Sequence, residues 1–226
     1  PPRSTPKPSS AASDVYKRQT AIGYNSTASG GYSTAMGRIT TASGFNSTAM
    51  GRSTIASDYA STVIGHYNSS GSSVTNSATS FNTANTAFVI GNGTYNVKSD
   101  AFKVMFNGDA TLAGNLSVNS DARLKANIIS LGSTLTKLLQ IDGKSYTMKK
   151  DENNKQKIGV LAQDIEKDFP ELVSESNGIK TVNYQGLVPV LINALKEQQS
   201  EIEILKQQQA EIDELKEMVQ ELVSRN

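Results

Sequence analysis

A 14-residue repeat in the first half of the chain restricts its fold more than any other feature. Glycines at positions 23, 37, 51 and 65 each lie 14 residues after the last, and each follows an apolar pair such as Ala35-Met36. Three Ala-Ser pairs, beginning at positions 28, 42 and 56, repeat with the same step. A fixed short period is typical of a solenoid in which each turn buries a face on the next. The sequence therefore predicts a β-roll with glycine at turns that need positive φ.

The apolar residues of these four repeats are few and small, so one roll can enclose little core, and oligomerisation is the natural remedy. The pattern T-A-[IM]-G followed by A-S-G, over residues 20–70, resembles the head repeats of trimeric autotransporter adhesins. The resemblance implies a homotrimer of left-handed β-rolls. It is specific for architecture and leaves two roles open, a structural spacer or a head that binds a host-surface receptor or glycan.

Composition divides the remaining chain into further segments. Residues 1–19 are Pro/Ser-rich and then basic, lack the apolar core of a secretion signal, and are interpreted as a non-native or disordered leader. The composition of residues 71–119 predicts a linker followed by a β-rich fibre shaft. Its strands are expected at Ala87–Ile90, Ala101–Phe106, Ala110–Leu112 and Asn115–Val118. Residues 120–186 have ordinary globular composition and predict a small α+β domain. Residues 187–226 predict one long coiled-coil helix.

Several function classes are disfavoured by composition. The chain has no cysteine and one histidine, His66, so we expect no disulfide, no metal site and no cofactor. The net charge of +1 gives no reason to expect nucleic acid as a partner. No apolar run approaches the roughly 20 residues that a membrane span needs. Glycan hydrolysis needs two carboxylates that flank one bond, and the acids of the repeat and shaft region lie on separate segments.

The stretch Ser120-Asp121-Ala122-Arg123-Leu124-Lys125 carries the chemistry. It resembles the S-D-x-R-x-K motif of the self-cleaving chaperone domains that mature phage endosialidase tailspikes and neck appendages. Ile158–Ile165, Phe169–Val173 and Val182–Tyr184 resemble the same family in the same order. The resemblance implies that Ser120 is the nucleophile, that Lys125 is the general base, and that Asp121 and Arg123 are supporting positions.

The implied dyad is chemically sensible, because a serine hydroxyl needs a base within hydrogen-bond reach and a lysine can serve when its pKa is lowered. Arg123 could assist by repulsion or could pair with Asp121. A spacing of five does not place two side chains on one helix face, so a bend or extended segment is expected between Ser120 and Lys125. The cut is expected beside Ser120, at the bond to Asn119 if an acyl shift operates, or after the serine.

The final segment predicts an intermolecular helix. From about Leu187 the apolar residues follow 3–4 spacing, with the two stripes joined across three glutamines at positions 207–209. No remaining segment is available to cover so long a stripe, which favours a coiled coil between chains over a surface helix. The residues predicted to form the trimer coiled coil are Leu195, Ile202, Leu205, Ile212, Leu215, Val219 and Leu222.

The sequence thus predicts a mixed fold: a β-roll and β-shaft, a small α+β chaperone domain and a long coiled-coil helix, assembled as a homotrimer. The predicted function is that of a tail-fibre-like protein whose C-terminal chaperone drives trimerisation and then removes itself as a Ser–Lys serine endopeptidase. The alternative is a non-cleaving trimeric surface adhesin with a permanent coiled-coil stalk. The expected location is a virion tail fibre or a bacterial cell surface.

Overall fold

The computed structural model describes residues 18–70, 74–149, 151 and 154–225. The chain divides into two compact units, and the boundary falls between Asn119 and Ser120. The predicted leader lies outside the described residues except for its last two positions. The units are hereafter called the β unit, residues 1–119, and the chaperone unit, residues 120–226.

Short strands build the described part of the β unit. One sheet has the order β1-β3-β5-β7-β8-β9-β10, and a second has the order β2-β4-β6. The strands are β1 (Thr20–Tyr24), β2 (Thr27–Ala28), β3 (Thr34–Arg38), β4 (Thr41–Ala42), β5 (Thr48–Arg52), β6 (Ile55–Ala56), β7 (Thr62–His66), β8 (Thr86–Asn92), β9 (Asp100–Met105) and β10 (Ala110–Leu112). The predicted β-roll is confirmed.

The 14-residue period appears as perfect register between parallel strands. Each of β1, β3 and β5 pairs with the long strand one repeat later, so that each repeat glycine lies beside the next. Gly37 shows why this position requires glycine: its φ is +133°, and a Cβ built there would lie 2.0 Å from the carbonyl oxygen of Gly51. A side chain cannot be accommodated at such a contact, and backbone of this conformation is rarely adopted by other residues.

The apolar pair before each repeat glycine is split between the inside and the outside of the roll. The first member faces inward because successive side chains of a strand point to opposite faces. The fully buried core consists of Ala35, Ala42, Ala49, Ala56, Val63 and Val89. The second members remain on the outer face, where Ile22, Met36 and Met50 are 53%, 37% and 39% exposed. The described residues leave this outer apolar row partly exposed.

The β-roll continues into the segment that follows it. β8 pairs in parallel with β7, and β9 and β10 add antiparallel strands to the same sheet. Residues 74–84 contain no helix or strand and are tied to the roll, for example through Tyr59 N–H to Ser77 O at 2.9 Å. Strands predicted near 87–90, 101–106 and 110–112 are confirmed. The strand predicted at Asn115–Val118 is wrong, because this segment is exposed and pairs with no described strand.

The chaperone unit is α+β. Its elements are α1 (Leu135–Leu138), β11 (Lys144–Tyr146), β12 (Lys157–Gly159), α2 (Ala162–Asp168), β13 (Val173–Ser176), β14 (Ile179–Val182) and α3 (Leu187–Ser224), with 3₁₀ turns at Ala122–Leu124, Pro170–Leu172 and Tyr184–Gly186. β11 pairs with β12, and β13 with β14, both antiparallel. Asn177 and Gly178, with φ of +52° and +73°, form the turn of the second hairpin.

A small core holds this unit together. Ile165 and Phe169 of α2 pack with Val190 of α3, and partly buried side chains from the surrounding turns and strands close the cluster. Only the first part of α3 takes part, since Val190 and Ala194 are its buried residues. The 38-residue length of α3 confirms the predicted long helix. None of the helices in the described part of the chain combines the length and the hydrophobicity that a membrane span requires.

Candidate functional site

A single 3₁₀ turn builds the predicted site. Asp121 is extended, with φ of −62° and ψ of 132°, and its carboxylate accepts the backbone N–H of Arg123 at 2.9 Å. This contact caps the turn Ala122–Leu124 in the way that an aspartate caps a helix. The backbone becomes extended again at Lys125, whose N–H donates to Ala122 O at 3.1 Å. The bend expected from the spacing is therefore this one turn.

The turn brings together the two side chains predicted to react. Lys125 Nζ donates a hydrogen bond to Ser120 Oγ at 2.8 Å. The distance lies within the range at which a base and a nucleophile exchange a proton. The arrangement is local to one stretch of the chaperone unit, since six consecutive residues supply both groups and the turn between them.

Asp121 and Arg123 form an ion pair beside the dyad. Arg123 Nη2 donates to Asp121 Oδ2 at 2.6 Å, and Arg123 Nε donates to both carboxylate oxygens at 3.1 Å. Hydrogen bonds from Arg123, mainly from its side chain and secondly from its backbone N–H, hold the pKa of Asp121 below its usual value. The side-chain hydrogen bonds to Asp121 raise the pKa of Arg123. Two roles were considered for Arg123, and the structure shows the one in which it pairs with Asp121. Sequence reasoning missed the capping role of Asp121, although an aspartate before a turn is its usual signal.

The surroundings of the dyad are open to solvent and unusually apolar. Residues 113–133 are all exposed in the single chain. Six large apolar side chains lie in this stretch, each at least 50% exposed: Leu116, Val118, Leu124, Ile128, Ile129 and Leu131. A dyad in this setting can carry out acyl transfer once water is excluded, since desolvation favours the neutral form of an amine. The described residues hold no group of three or more His, Asp or Glu that could bind a metal ion.

The predicted coiled-coil residues lie on the exposed part of α3. Their exposed fractions run from 39% at Ile202 to 67% at Leu195. Ile212, Leu215 and Val219 line one shallow surface together with the stems of Lys216 and Gln220. No described segment of the chain covers this stripe. An uncovered apolar stripe of this kind is typical of a helix that packs against a partner helix.

A contact that sequence reasoning missed joins α3 to the start of α1. Glu197 accepts the backbone N–H of Thr134 at 2.6 Å and the hydroxyl of Ser133 at 2.5 Å. Thr134 Oγ1 in turn donates to Val190 O at 3.0 Å. Glu197, which lies 63 residues after Thr134, thereby satisfies donors at the N-terminal end of α1. The adjacent Ser133-Thr134 pair before a short helix was the available signal for a capped N-terminus.

The fold and the site together define a repeat-built chain in which a parallel β-roll precedes, along the sequence, a compact α+β unit with a long helix. Comparison with protein families agrees with both halves. Residues 120–174 match the model of a peptidase family described as the chaperone of endosialidase, and the match begins at Ser120. Residues 20–38 and 42–68 match two copies of the YadA head domain repeat. The two resemblances stated from the sequence are confirmed.

A curated relative points in the same direction. The long tail fiber protein Gp37 of Enterobacteria phage Ox2 is 31% identical over 102 residues, which cover 40% of this chain and 41% of the relative. The chain therefore spans about two fifths of that protein's length. This chain is tail-fibre-like and carries a chaperone-of-endosialidase domain.

Proposed function

We propose that this chain is a tail-fibre-like protein whose chaperone unit drives homotrimerisation and then removes itself by Ser–Lys autoproteolysis beside Ser120. The observation that carries the proposal is the 2.8 Å hydrogen bond between Lys125 Nζ and Ser120 Oγ. It lies at the first residue of the chaperone unit, so a cut there divides the chain where its two compact units meet in sequence. The location that fits this role is a virion tail fibre, with a bacterial cell surface as the alternative.

Two uncovered apolar surfaces support assembly from several copies. One is the stripe of α3 that contains Leu205, Ile212 and Leu215, and the other is the outer row of the β-roll at Ile22, Met36 and Met50. In each surface the apolar side chains recur at regular intervals, along the helix axis in α3 and from turn to turn in the β-roll. Contacts between parallel copies of one chain recur in the same way. Association through the helices places the β units in register and lowers the entropic cost of starting a β structure shared between chains.

The proposed reaction is an acyl transfer within the chain. Neutral Lys125 takes the hydroxyl proton as Ser120 Oγ attacks the carbonyl carbon of Asn119. The peptide C–N bond breaks, the α-amine of Ser120 receives the proton, and an ester joins the Asn119 acyl group to Ser120 Oγ. Water then hydrolyses the ester, which leaves a carboxylate on Asn119 and restores the hydroxyl. The alternative cut, after the serine, would break the bond between Ser120 and Asp121.

The exposure of the dyad supports an order in which assembly precedes cleavage. Residues 113–133 are open to water in one chain, and their apolar side chains need further surface to become buried. Closing this stretch within the trimer would exclude water from the dyad and favour reaction only after folding. Removal of the chaperone unit would leave a fibre that cannot readily refold, and its stability would become kinetic.

The test is a denaturing gel of the unchanged full chain beside two classes of variant. The unchanged chain is expected to split into two fragments, and Ser120→Ala and Lys125→Ala are expected to stay whole. Ser130→Ala and Lys149→Ala, which alter exposed residues of the same unit, should cut as the parent does. Sequencing the N-terminus of the second fragment distinguishes a first residue of Ser120 from one of Asp121.

The second candidate function is the non-cleaving trimeric adhesin with a permanent stalk, and the open setting of the dyad favours it. A parent chain that forms trimers by light scattering yet remains whole would establish this alternative and refute the protease. A chain that stays monomeric and whole would refute both.

A further inference from the structure

A row of basic and aromatic side chains runs along the β-roll at the position after each repeat glycine. Tyr24, Arg38, Arg52 and His66 are Cα partners in successive parallel strands. Neighbouring strands lie about 4.8 Å apart, so the four side chains form a ladder with one member per turn. We call these four residues the basic ladder. Its signal in the sequence is the residue after each repeat glycine, which is never acidic.

Aromatic rings support both arginines. Arg38 Cζ lies 5.8 Å from the centroid of the Tyr24 ring, and Arg52 Cζ lies 5.6 Å from that of Tyr67. Tyr67 is 8% exposed and also meets the His66 ring edge to face at 4.7 Å, so it is a fixed platform. Stacking uses the face of a guanidinium and leaves its five N–H donors available to an anion.

The positive charge of the ladder is not neutralised within the described part of the β unit. Its acids are engaged elsewhere: Asp58 accepts backbone N–H groups of Thr75 and Thr86, Asp100 accepts from Ser69 and Ser70, and Asp109 accepts from Asn107. No hydrogen bond or ion pair of the described residues engages either ladder guanidinium. Like charges directly opposite each other on adjacent strands are destabilising, and a bound anion would relieve this cost.

We propose that the basic ladder binds a linear polysaccharide that carries carboxylate groups. One acidic sugar would face each turn, because successive sugars of an extended polysaccharide are spaced on the same scale as successive strands. Arg38 and Arg52 would hold carboxylates through paired N–H donors, and Tyr24, 70% exposed, would offer a ring face to sugar C–H groups. This inference rests on the proposed tail-fibre function and on the role of the β-roll as a head that binds a host-surface glycan, and it needs no cleavage.

Two other occupants fit less well. Nucleic acid favours a broad basic surface, whereas this ladder holds two arginines on a chain of net charge +1. The outer apolar row at Ile22, Met36 and Met50 lies on the same face as the basic ladder, because residues two apart in a strand share a face. A second copy of the chain is the natural cover for that row. Such a copy offers the arginines no carboxylate from the described residues at the equivalent position of its own ladder. Both occupants become outcomes of the test.

The experiment measures binding of immobilised full chain carrying Ser120→Ala to polygalacturonate, with dextran as the neutral control. We expect binding to polygalacturonate that weakens as salt rises, because exposed charge pairs are screened. Arg38→Gln together with Arg52→Gln should weaken binding about ten-fold. The paired Arg→Lys variant keeps the charge and loses planar donors, and should fall in between. Lys98→Gln, which removes a charge from the loop between β8 and β9, should bind as the parent does.

Four results would overturn the ladder site. They are unchanged affinity in the double Arg→Gln variant, equal binding of dextran, loss of the oligomer in that variant by light scattering, and equally tight binding of duplex DNA that the same variant abolishes. The third would assign the ladder to contacts between copies, and the fourth to nucleic acid. Cleavage is scored separately on the chain with Ser120 intact, so failure of the protease and failure of the ladder are distinguishable.

Discussion

The two units satisfy their apolar residues in opposite ways. In the described part of the β unit the fully buried apolar core consists of alanines and valines, and Ala35, Ala42, Ala49 and Ala56 follow one another at half-turn intervals. Its stability comes from backbone ladders in which each strand is held by the next. The chaperone unit gathers a compact core around Ile165, Phe169 and Val190 and then extends α3 far beyond it, with its apolar stripe uncovered.

This contrast indicates where each unit is vulnerable. In the β unit the backbones of successive turns lie close together, so a substitution that adds even a small group between them is destabilising. Most outward-facing side chains can vary. In the chaperone unit the uncovered stripe makes assembly the missing source of burial, so changes there should leave the single chain intact and affect the oligomer. Four substitutions test this contrast.

The largest effect is expected for Gly37→Val in the β unit. A Cβ at this position would lie 2.0 Å from Gly51 O, and the φ of +133° is strained for any side chain. We expect the free energy of unfolding to fall by roughly 4 kcal/mol or more. Urea unfolding followed by circular dichroism measures it. The matched control is Gly114→Val, since nothing lies within 4 Å of a Cβ there. Equal stability of the two variants would contradict the close-packed description of the roll.

Leu215→Gln should weaken assembly and leave the single chain folded. Leu215 is 57% exposed on the uncovered stripe of α3, so its burial is available only in the oligomer. We expect a loss of about 1.5–3 kcal/mol per chain in the free energy of association. Sedimentation equilibrium measures it, with Glu214→Gln as the neighbouring control. An association constant unchanged by Leu215→Gln would place the contacts between chains on another surface.

Asp58→Asn tests a polar contact inside the β unit. Asp58 is fully buried, and its two carboxylate oxygens accept the N–H groups of Thr75 at 2.6 Å and Thr86 at 2.8 Å. An amide offers one acceptor in place of two, so one N–H would face a donor. We expect a loss of about 1–3 kcal/mol in the free energy of unfolding. The control is Asp142→Asn, whose side chain is 78% exposed. A loss no larger than the control's would mean that the carboxylate is not needed to close the roll.

The smallest effect is expected for Glu197→Gln, which weakens the contact between α3 and α1. Hydrogen bonds from the Ser133 hydroxyl and then the Thr134 backbone lower the pKa of Glu197 below its usual 4.5. A lowered pKa means that the stabilisation is fully present above pH 4.5 and is lost as pH falls through the lower value of the folded state.

The measurement is the urea midpoint of the chaperone unit between pH 7 and pH 3, followed in full chain. The parent should have a slightly higher urea midpoint than Glu197→Gln at neutral pH, and this difference should disappear as acid is added. The control Glu201→Gln, one turn further along α3, should have the parent's midpoint at every pH. A parent and a Glu197→Gln chain with the same midpoint at neutral pH would show that this contact contributes nothing.

Periodic features were the most predictable from the sequence. The repeat glycines and the start of the long helix near Leu187 were both confirmed, because each follows from local backbone preference. The strand predicted at Asn115–Val118 failed for lack of a partner strand within the described chain. Propensity alone does not make a strand, since pairing supplies its hydrogen bonds.

The candidate site was predictable as a set of residues but not as a shape. The motif named Ser120 and Lys125 and implied a bend, and the structure supplied the 3₁₀ turn that joins them. The pairing of Arg123 with Asp121 was one of two roles that the sequence left open. Catalysis by the dyad remains a prediction, which the gel of the Ser120→Ala and Lys125→Ala variants decides.

The sequence by itself determined the period of the roll, the order of its segments and the exposed stripe of the last helix, because helices and parallel turns repeat with fixed geometry. Only the tertiary structure brought Asp58 to Thr86, Glu197 to Ser133, and Arg52 to the ring of Tyr67. These contacts join residues far apart in the chain. Their partners are chosen by packing and by the need to satisfy buried polar groups, and no local pattern encodes that choice.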